Sequence, residues 1–188
     1  EEFLTLDKEN DKVRDFLKQI KDTEQLDTRR RELEGALAKG GQIDAAMELA
    51  DIYRRMNLMG PFDGLCNSII NQAGIPLNYL MQIAQMYADL KRLDMVVTVF
   101  RKVLEREPGN ARIWVDLAAV HVFMQQANEA MDALRKGVEV GGEPVRDMVR
   151  RDQRFAPLRQ LPAFNALIPP VQAGNLNLNM GLPELGGF

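Results

Sequence analysis

Residues 77–110 read LNYLMQIAQMYADLKRLDMVVTVFRKVLEREPGN. Apolar side chains recur at helical spacing through Leu77–Leu90 and again through Met95–Glu105. The short polar stretch between them contains no room for a third element, and Pro108-Gly109-Asn110 closes the second run. Proline there removes a backbone donor and clashes with the preceding turn, so the helix stops. The stretch predicts two amphipathic helices joined by a tight turn.

The same pattern lies on either side. Windows 43–76, 77–110 and 111–144 align without a gap at a period of 34 residues. Their seventh residues are Leu49, Ile83 and Leu117, and their eighth are Ala50, Ala84 and Ala118. The eleventh are Tyr53, Tyr87 and His121, and the twenty-fourth are Cys66, Phe100 and Leu134. Further breakers stand at Gly60-Pro61, Gly74-Ile75-Pro76 and Gly141-Gly142-Glu143-Pro144. A fixed period of this length is the mark of a repeat array.

These residues resemble the tetratricopeptide repeat family. Ala84, Tyr87, Phe100 and Pro108 stand in family positions of the middle window, and Trp114, Leu117, Ala118 and Ala130 in the third. Phe62 and Val96 depart from the small residue that the family places twentieth, and the larger side chains are expected to shift the local helix packing. The resemblance implies an all-α, tetratricopeptide-like helical-hairpin solenoid, an α-α superhelix, used for scaffolding. The physics of the shared positions agrees. Small Ala50, Ala84 and Ala118 allow the paired helix to approach closely. One hairpin leaves apolar surface uncovered, so each stacks on the next.

Around the three repeats, residues 1–42 are expected to form an N-terminal helical cap or degenerate repeat. Val13, Phe16, Leu17 and Ile20 give one helix face, and Leu26, Leu33, Ala36 and Leu37 a second, with Thr23 or Asp22 capping the second helix. Arg29, Arg30 and Arg31 beside Glu32 and Glu34 read as a solvated charged face. Residues 145–168 are expected to be a C-terminal helical cap. Phe155, Leu158, Leu161, Phe164 and Leu167 there look like the closing segment that follows bacterial repeats of this family and covers the last hairpin. Pro169-Pro170 then opens an extended tail, 169–188, in which Asn175, Asn177 and Asn179 alternate with Leu176, Leu178 and Met180. In an extended backbone this puts the apolar residues on one side. The tail is expected to be ordered by protein contact, in its own groove or a neighbour's, which makes self-association through it a second partner reading.

Composition bounds the function. Of 188 residues, 24 are Lys or Arg and 27 Asp or Glu, for a net charge of -3. A strongly basic nucleic-acid module or polybasic membrane binder does not fit that balance. One cysteine and one histidine exclude an intrachain disulfide and a zinc site built on several such ligands. No run approaches the roughly 20 apolar residues of a spanning helix. Localisation is left open between cytoplasm and periplasm, for a soluble segment that begins without an initiator Met and is read as possibly excised from a larger chain.

No reaction chemistry emerges. His121 stands where the sister repeats have tyrosine and reads as a packing histidine. Cys66 stands where they have Phe100 and Leu134 and reads as a small buried hydrophobe. Asp44, Glu48 and Asp51 share a helix face, but a hard metal needs more converging oxygens, so they read as an acidic solvated face. The expectation is no enzyme, no cofactor and no metal.

The resemblance implies one candidate site, a concave groove lined by positions 2, 5, 6, 9, 12 and 13 of each first helix. These are Asp44, Met47, Glu48, Asp51, Arg54 and Arg55, then Asn78, Met81, Gln82, Gln85, Ala88 and Asp89, then Arg112, Val115, Asp116, Ala119, Val122 and Phe123. The family's clamp for a terminal carboxylate would need basic and asparagine residues where this chain has Met47, Asp51, Gln82, Arg112 and Asp116; only Arg112 fits. Met81, Gln85, Arg112, Val122 and Phe123 are the residues expected to contact a partner. Methionine adapts to irregular surfaces, and Gln85 and Arg112 supply directional donors. The reading is a protein-interaction module for a peptide or helix. The alternatives are a structural or self-assembly domain of a larger protein and, disfavoured, a small-ligand binder or enzyme. Stability offers a test of the repeat phase: Ala84→Leu or Ala118→Leu should lower stability by roughly 1–3 kcal/mol through overpacking, and unchanged denaturation midpoints in both would remove these alanines from the helix crossing.

Overall fold

The computed structural model describes the backbone of residues 2–170 and the side chains of residues 11–170. The described residues are helical throughout, with no strand, in the tetratricopeptide-like helical-hairpin class. They fall into two units that divide between Arg106 and Glu107.

The first unit holds α1 (Glu2–Ala38), α2 (Ile43–Arg55), α3 (Met59–Asn71), α4 (Leu77–Asp89) and α5 (Leu93–Arg106). Helices α2 and α3 pair, α4 and α5 pair, and α3 packs on α4. Ala50 and Ala84 are buried, as are Ile83, Val96, Val99 and Phe100. Phe62 uses its extra volume at the junction of the two hairpins. It is fully buried, and its ring meets Tyr87 edge-on, with centroids 5.2 Å apart and planes at 66°. Aromatic pairs favour that geometry because the positive ring edge meets the negative face. The Tyr87 hydroxyl donates to Asp63 at 3.2 Å, and Arg92 holds the same carboxylate at 2.6 Å while lying 5.3 Å from the Tyr87 ring centre. The joint between the hairpins is therefore apolar inside and closed by an ion pair at its edge.

Helix α1 corrects the expected pair of N-terminal helices. It runs unbroken for 37 residues. The Thr23 hydroxyl does not cap a helix; it donates to the carbonyl of Gln19 at 2.8 Å, one turn back. No Gly or Pro interrupts the chain between the two apolar faces, so nothing stops the helix there. Its C-terminal part docks on α2. Leu33 is buried with Leu49 and Ile52, and Leu26 and Leu37 pack against them.

The second unit holds α6 (Ala111–Phe123), α7 (Ala127–Arg151), a 3-10 turn (Gln153–Leu158) and α8 (Pro162–Leu167). Asn110 caps α6 by accepting from the Ile113 amide at 3.2 Å. The α6–α7 crossing is close. A Cβ at Gly141 would lie 2.9 Å from Ala111 Cβ of α6, and one at Gly137 would lie 3.3 Å from Trp114 Cβ; at Gly141 it would also collide with Val145 of α7. The Gly-Gly-Glu-Pro stretch does not separate two elements by a loop. It breaks α7 internally at Gly142, whose φ of 60° and ψ of -141° are closed to other residues at little cost. Phe155 and Leu158 of the 3-10 turn are buried against α6 and α7, and Phe164 and Ile168 are buried beyond them. Leu161 stays exposed and Ile168 takes the buried place expected of Leu167. The arginines of this region act as staples: Arg146 donates to the Leu167 carbonyl at 3.1 Å, Arg150 to that of Pro169 at 2.7 Å and Arg159 to that of Arg150 at 3.1 Å.

All three hairpins reverse on one device. Asn57, Lys91 and Gln125 have φ of 57°, 58° and 60°, the left-handed region, and recur at the 34-residue period. In each turn the following amide reaches back to the eleventh residue: Leu58 to Tyr53 at 2.8 Å, Arg92 to Tyr87 at 2.9 Å and Gln126 to His121 at 2.9 Å. A second bond joins Asn57 to Arg54, Lys91 to Ala88 and Gln125 to Val122. These are Schellman closures, which satisfy carbonyls that the helix end leaves free. The first reversal precedes Gly60-Pro61: Met56, Asn57 and Leu58 separate α2 from α3. Pro61 lies in the first turn of α3, where its missing N–H has no intrahelical partner to lose. None of the three turns uses glycine. Lys91→Gly and Gln125→Gly should each raise stability by about 0.5–1 kcal/mol by relieving left-handed strain, read as a higher urea midpoint at unchanged slope.

Candidate binding surface

The five expected contact residues divide between the units. Met81 and Gln85 lie one turn apart on α4. Met81 is half-buried and Gln85 exposed, and the Gln85 amide donates to Asp89 at 2.8 Å. Arg112, Val122 and Phe123 lie on α6. Arg112 and Phe123 are at opposite ends of that helix, roughly 15 Å apart along its axis. The Arg112 guanidinium donates to Asp116 at 3.0 Å. Val122 is half-buried. Phe123 is 65% exposed, so its ring does not pack down onto α7.

Several of the other positions are not available to a partner. Met47, Val115 and Ala119 are buried and belong to the core. Asp116 is held from a second direction, by Arg154 of the 3-10 turn at 3.1 Å. The acidic set on α2 is not a free solvated face. Asp44 accepts from the Tyr79 hydroxyl at 2.6 Å, Asp51 from Arg54 at 2.6 Å, and Glu48 takes both Arg29 donors at 2.7 and 2.8 Å. Arg54 also lies 3.8 Å from Asp89. The arginine run of α1 is likewise more than a solvated face: Arg29 grips Glu48, and Arg30 spans Asp27 and Glu34, each at 2.7 Å.

Sequence reasoning missed these pairs, although their spacing carries a signal. Arg29–Glu48 and Glu34–Tyr53 are both 19 residues apart, which joins α1 to α2 twice in one register. Asp44–Tyr79 and Arg54–Asp89 are both 35 apart, one repeat plus one residue. The electrostatics follow. The Tyr53 hydroxyl and then Arg30 hold the Glu34 carboxyl below its ordinary range, and Arg29 does the same to Glu48. Burial, then Glu34, pushes Tyr53 up to about 12. Arg154 lowers Asp152.

Cys66 and His121 are packing residues. Cys66 is fully buried, and burial pushes its thiol up to about 12, so no thiolate nucleophile is present at neutral pH. His121 is buried, with Nδ1 2.7 Å from Gln126 Oε1. Among the described residues no cluster of three or more His, Cys, Asp or Glu could hold a metal. No described helix is long and apolar enough to cross a membrane. The expected ordering of the tail falls on 171–188, outside the described residues.

The α1–α2 joint has a pH signature. Glu34 and Glu48 have folded values below their unfolded ones, so their contribution is complete above about pH 4–5 and lost as pH falls through the folded values. A Glu34→Gln, Glu48→Gln variant should melt lower than the parent at neutral pH and lose less on acidification from pH 5 to pH 3. Parallel melting curves across that range would show that the two carboxylates do not tie α1 down.

A family model described as tetratricopeptide repeat matches residues 77–110. A search of curated proteins finds no match. Two solved structures are similar. "MamA MSR-1 C2" is 18% identical, with 69% of this chain and 77% of that one covered and a TM-score of 0.44. "MamA AMB-1 P212121" is 17% identical, with 79% and 84% covered and a TM-score of 0.47.

Proposed function

We propose that this chain is a non-catalytic protein-interaction module that holds a peptide or helix against its first-helix surfaces, through Met81 and Gln85 on α4 and Arg112, Val122 and Phe123 on α6. A general interaction or scaffolding role rests on the helical-hairpin fold and the tetratricopeptide match. One observation carries the finer reading: Phe123 leaves 65% of its surface in water at the thirteenth position of a first helix. An exposed aromatic ring on a rigid helix is the usual form of a binding anchor, because it offers much apolar area at a small entropy cost. Arg112 supports it, since its exposed guanidinium has donors beyond the one given to Asp116. The polar positions already paired within the chain are less suited, because a partner would have to break those pairs.

The test is affinity for a partner captured with the intact chain and then purified. Phe123→Ala should weaken binding about tenfold or more, the loss of an aromatic anchor, and Arg112→Glu should weaken it through charge reversal. Neither substitution touches the buried core, so the melting temperature should hold. Unchanged affinity in both variants ends the assignment of these residues.

A further inference from the structure

Helix α1 carries two apolar faces that point in different directions. The C-terminal face, Leu26, Leu33 and Leu37, packs on α2. At 100° per residue the N-terminal face, Val13, Phe16, Leu17 and Ile20, is turned from it by roughly 135°. It is therefore not an uncovered continuation of the α2 contact. Its four side chains are 54%, 62%, 58% and 40% exposed. Their i, i+3, i+4, i+7 spacing makes one continuous stripe. Taken over its whole length α1 is only weakly amphipathic, because the two faces oppose one another.

Within residues 11–22 the charges around the stripe are sorted. Lys12 lies on one flank and Arg14 and Lys21 on the other, each about 90–110° from the centre of the stripe, with Arg14 already paired to Asp11 at 3.2 Å. Asp11, Asp15 and Asp22 lie on the far side of the helix, with Lys18. Phe16 and Ile20 also share a groove with Glu24, Asp27 and Met56; Met56 packs against the α1–α2 core, and Asp27 is held by Arg30 and Arg31. The stripe thus joins an existing helix–helix interface at its C-terminal end.

We propose that residues 11–22 of α1 are a docking face for an amphipathic α-helix of a partner protein, one whose apolar stripe is flanked by acidic side chains. Apolar burial supplies the driving force. The basic flanks select the partner, because acidic residues beside its stripe meet Lys12 and Lys21 at the rim. A second copy of α1 is a poor occupant, since pairing stripe to stripe would bring basic flanks together. This face and the α6 surface share no residue, so the two proposals stand or fall apart.

The experiment uses the full chain and two designed helical peptides. Both carry leucines at i, i+3, i+4 and i+7; one has glutamates on the flanks and the other lysines. Fluorescence anisotropy should give at least tenfold tighter binding of the glutamate peptide. Phe16→Asp with Leu17→Asp should weaken that binding at least tenfold without altering the circular dichroism spectrum or melting temperature. Lys12→Glu with Lys21→Glu should invert the preference between peptides, whereas Phe123→Ala should leave both affinities unchanged. Equal affinity for the two peptides overturns the proposal, as does binding that survives Phe16→Asp with Leu17→Asp. A dimer in sedimentation equilibrium that this double substitution abolishes would assign the stripe to a second copy instead. Flotation with phosphatidylserine vesicles, abolished by the same substitution in a chain that ignores both peptides, would assign it to a lipid surface.

Discussion

Each hairpin depends on one residue placed in the left-handed conformation, at Asn57, Lys91 and Gln125. That residue ends the first helix by returning two amides to its last turn, and it aims the chain so that the second helix packs back along the first. The position of the turn then decides which side chains meet. It puts Ala50, Ala84 and Ala118 into the core, along with Phe62, Val96 and Ala130 of the helix that follows. Left-handed backbone costs a non-glycine residue about 1–2 kcal/mol. Three such residues persist because the packing they direct more than offsets that cost. The eleventh residue takes part on both levels, since its carbonyl receives the closing amide and its side chain fills the hairpin. Tyrosine does this in two repeats and His121 in the third, each with a polar tip that finds a partner.

The ion pairs sort the surface into parts that are occupied and parts that are open. Most charged first-helix residues of α2 are engaged within the chain, through Arg29, Arg54 and Tyr79. On α6 the same holds for Asp116, gripped by Arg112 and by Arg154. Exposed pairs of this kind contribute little stability each. Their larger effect is on recognition, because an incoming partner must compete with a carboxylate or guanidinium already at bonding distance. Among the exposed large apolar side chains are the ring of Phe123 and the α1 stripe. Both sit on helices, and neither is covered by a neighbouring element among the described residues.

The glycines of α7 show how a local break serves packing. Gly141 allows Val145 and Ala111 to approach within the reach of a methyl group, and Gly142 supplies a backbone angle that lets the helix change direction there. The break carries the chain into the 3-10 turn, whose Phe155 and Leu158 cover α6 and α7. The stapling arginines then bond to carbonyls that have no helical partner, at Leu167 and Pro169.

The sequence by itself determined the helices, their 34-residue phase and the all-α class. Those features are local or periodic: a 3.6-residue apolar rhythm, a proline, a small residue recurring at a crossing. It also placed His121 and Cys66 inside, because the sister repeats hold bulky core residues at the same positions. The continuity of α1 is local too, because no breaker separates its two faces and a change of apolar phase does not end a helix. The tertiary structure alone decided the rest. It withdrew Met47, Val115 and Ala119 into the core and paired Asp44, Glu48 and Asp116 with residues 35, 19 and 38 positions away. A charged residue on a helix looks solvated until the element that docks on it is known, and which element docks is set by the packing of hairpins, a non-local property that no window of sequence contains.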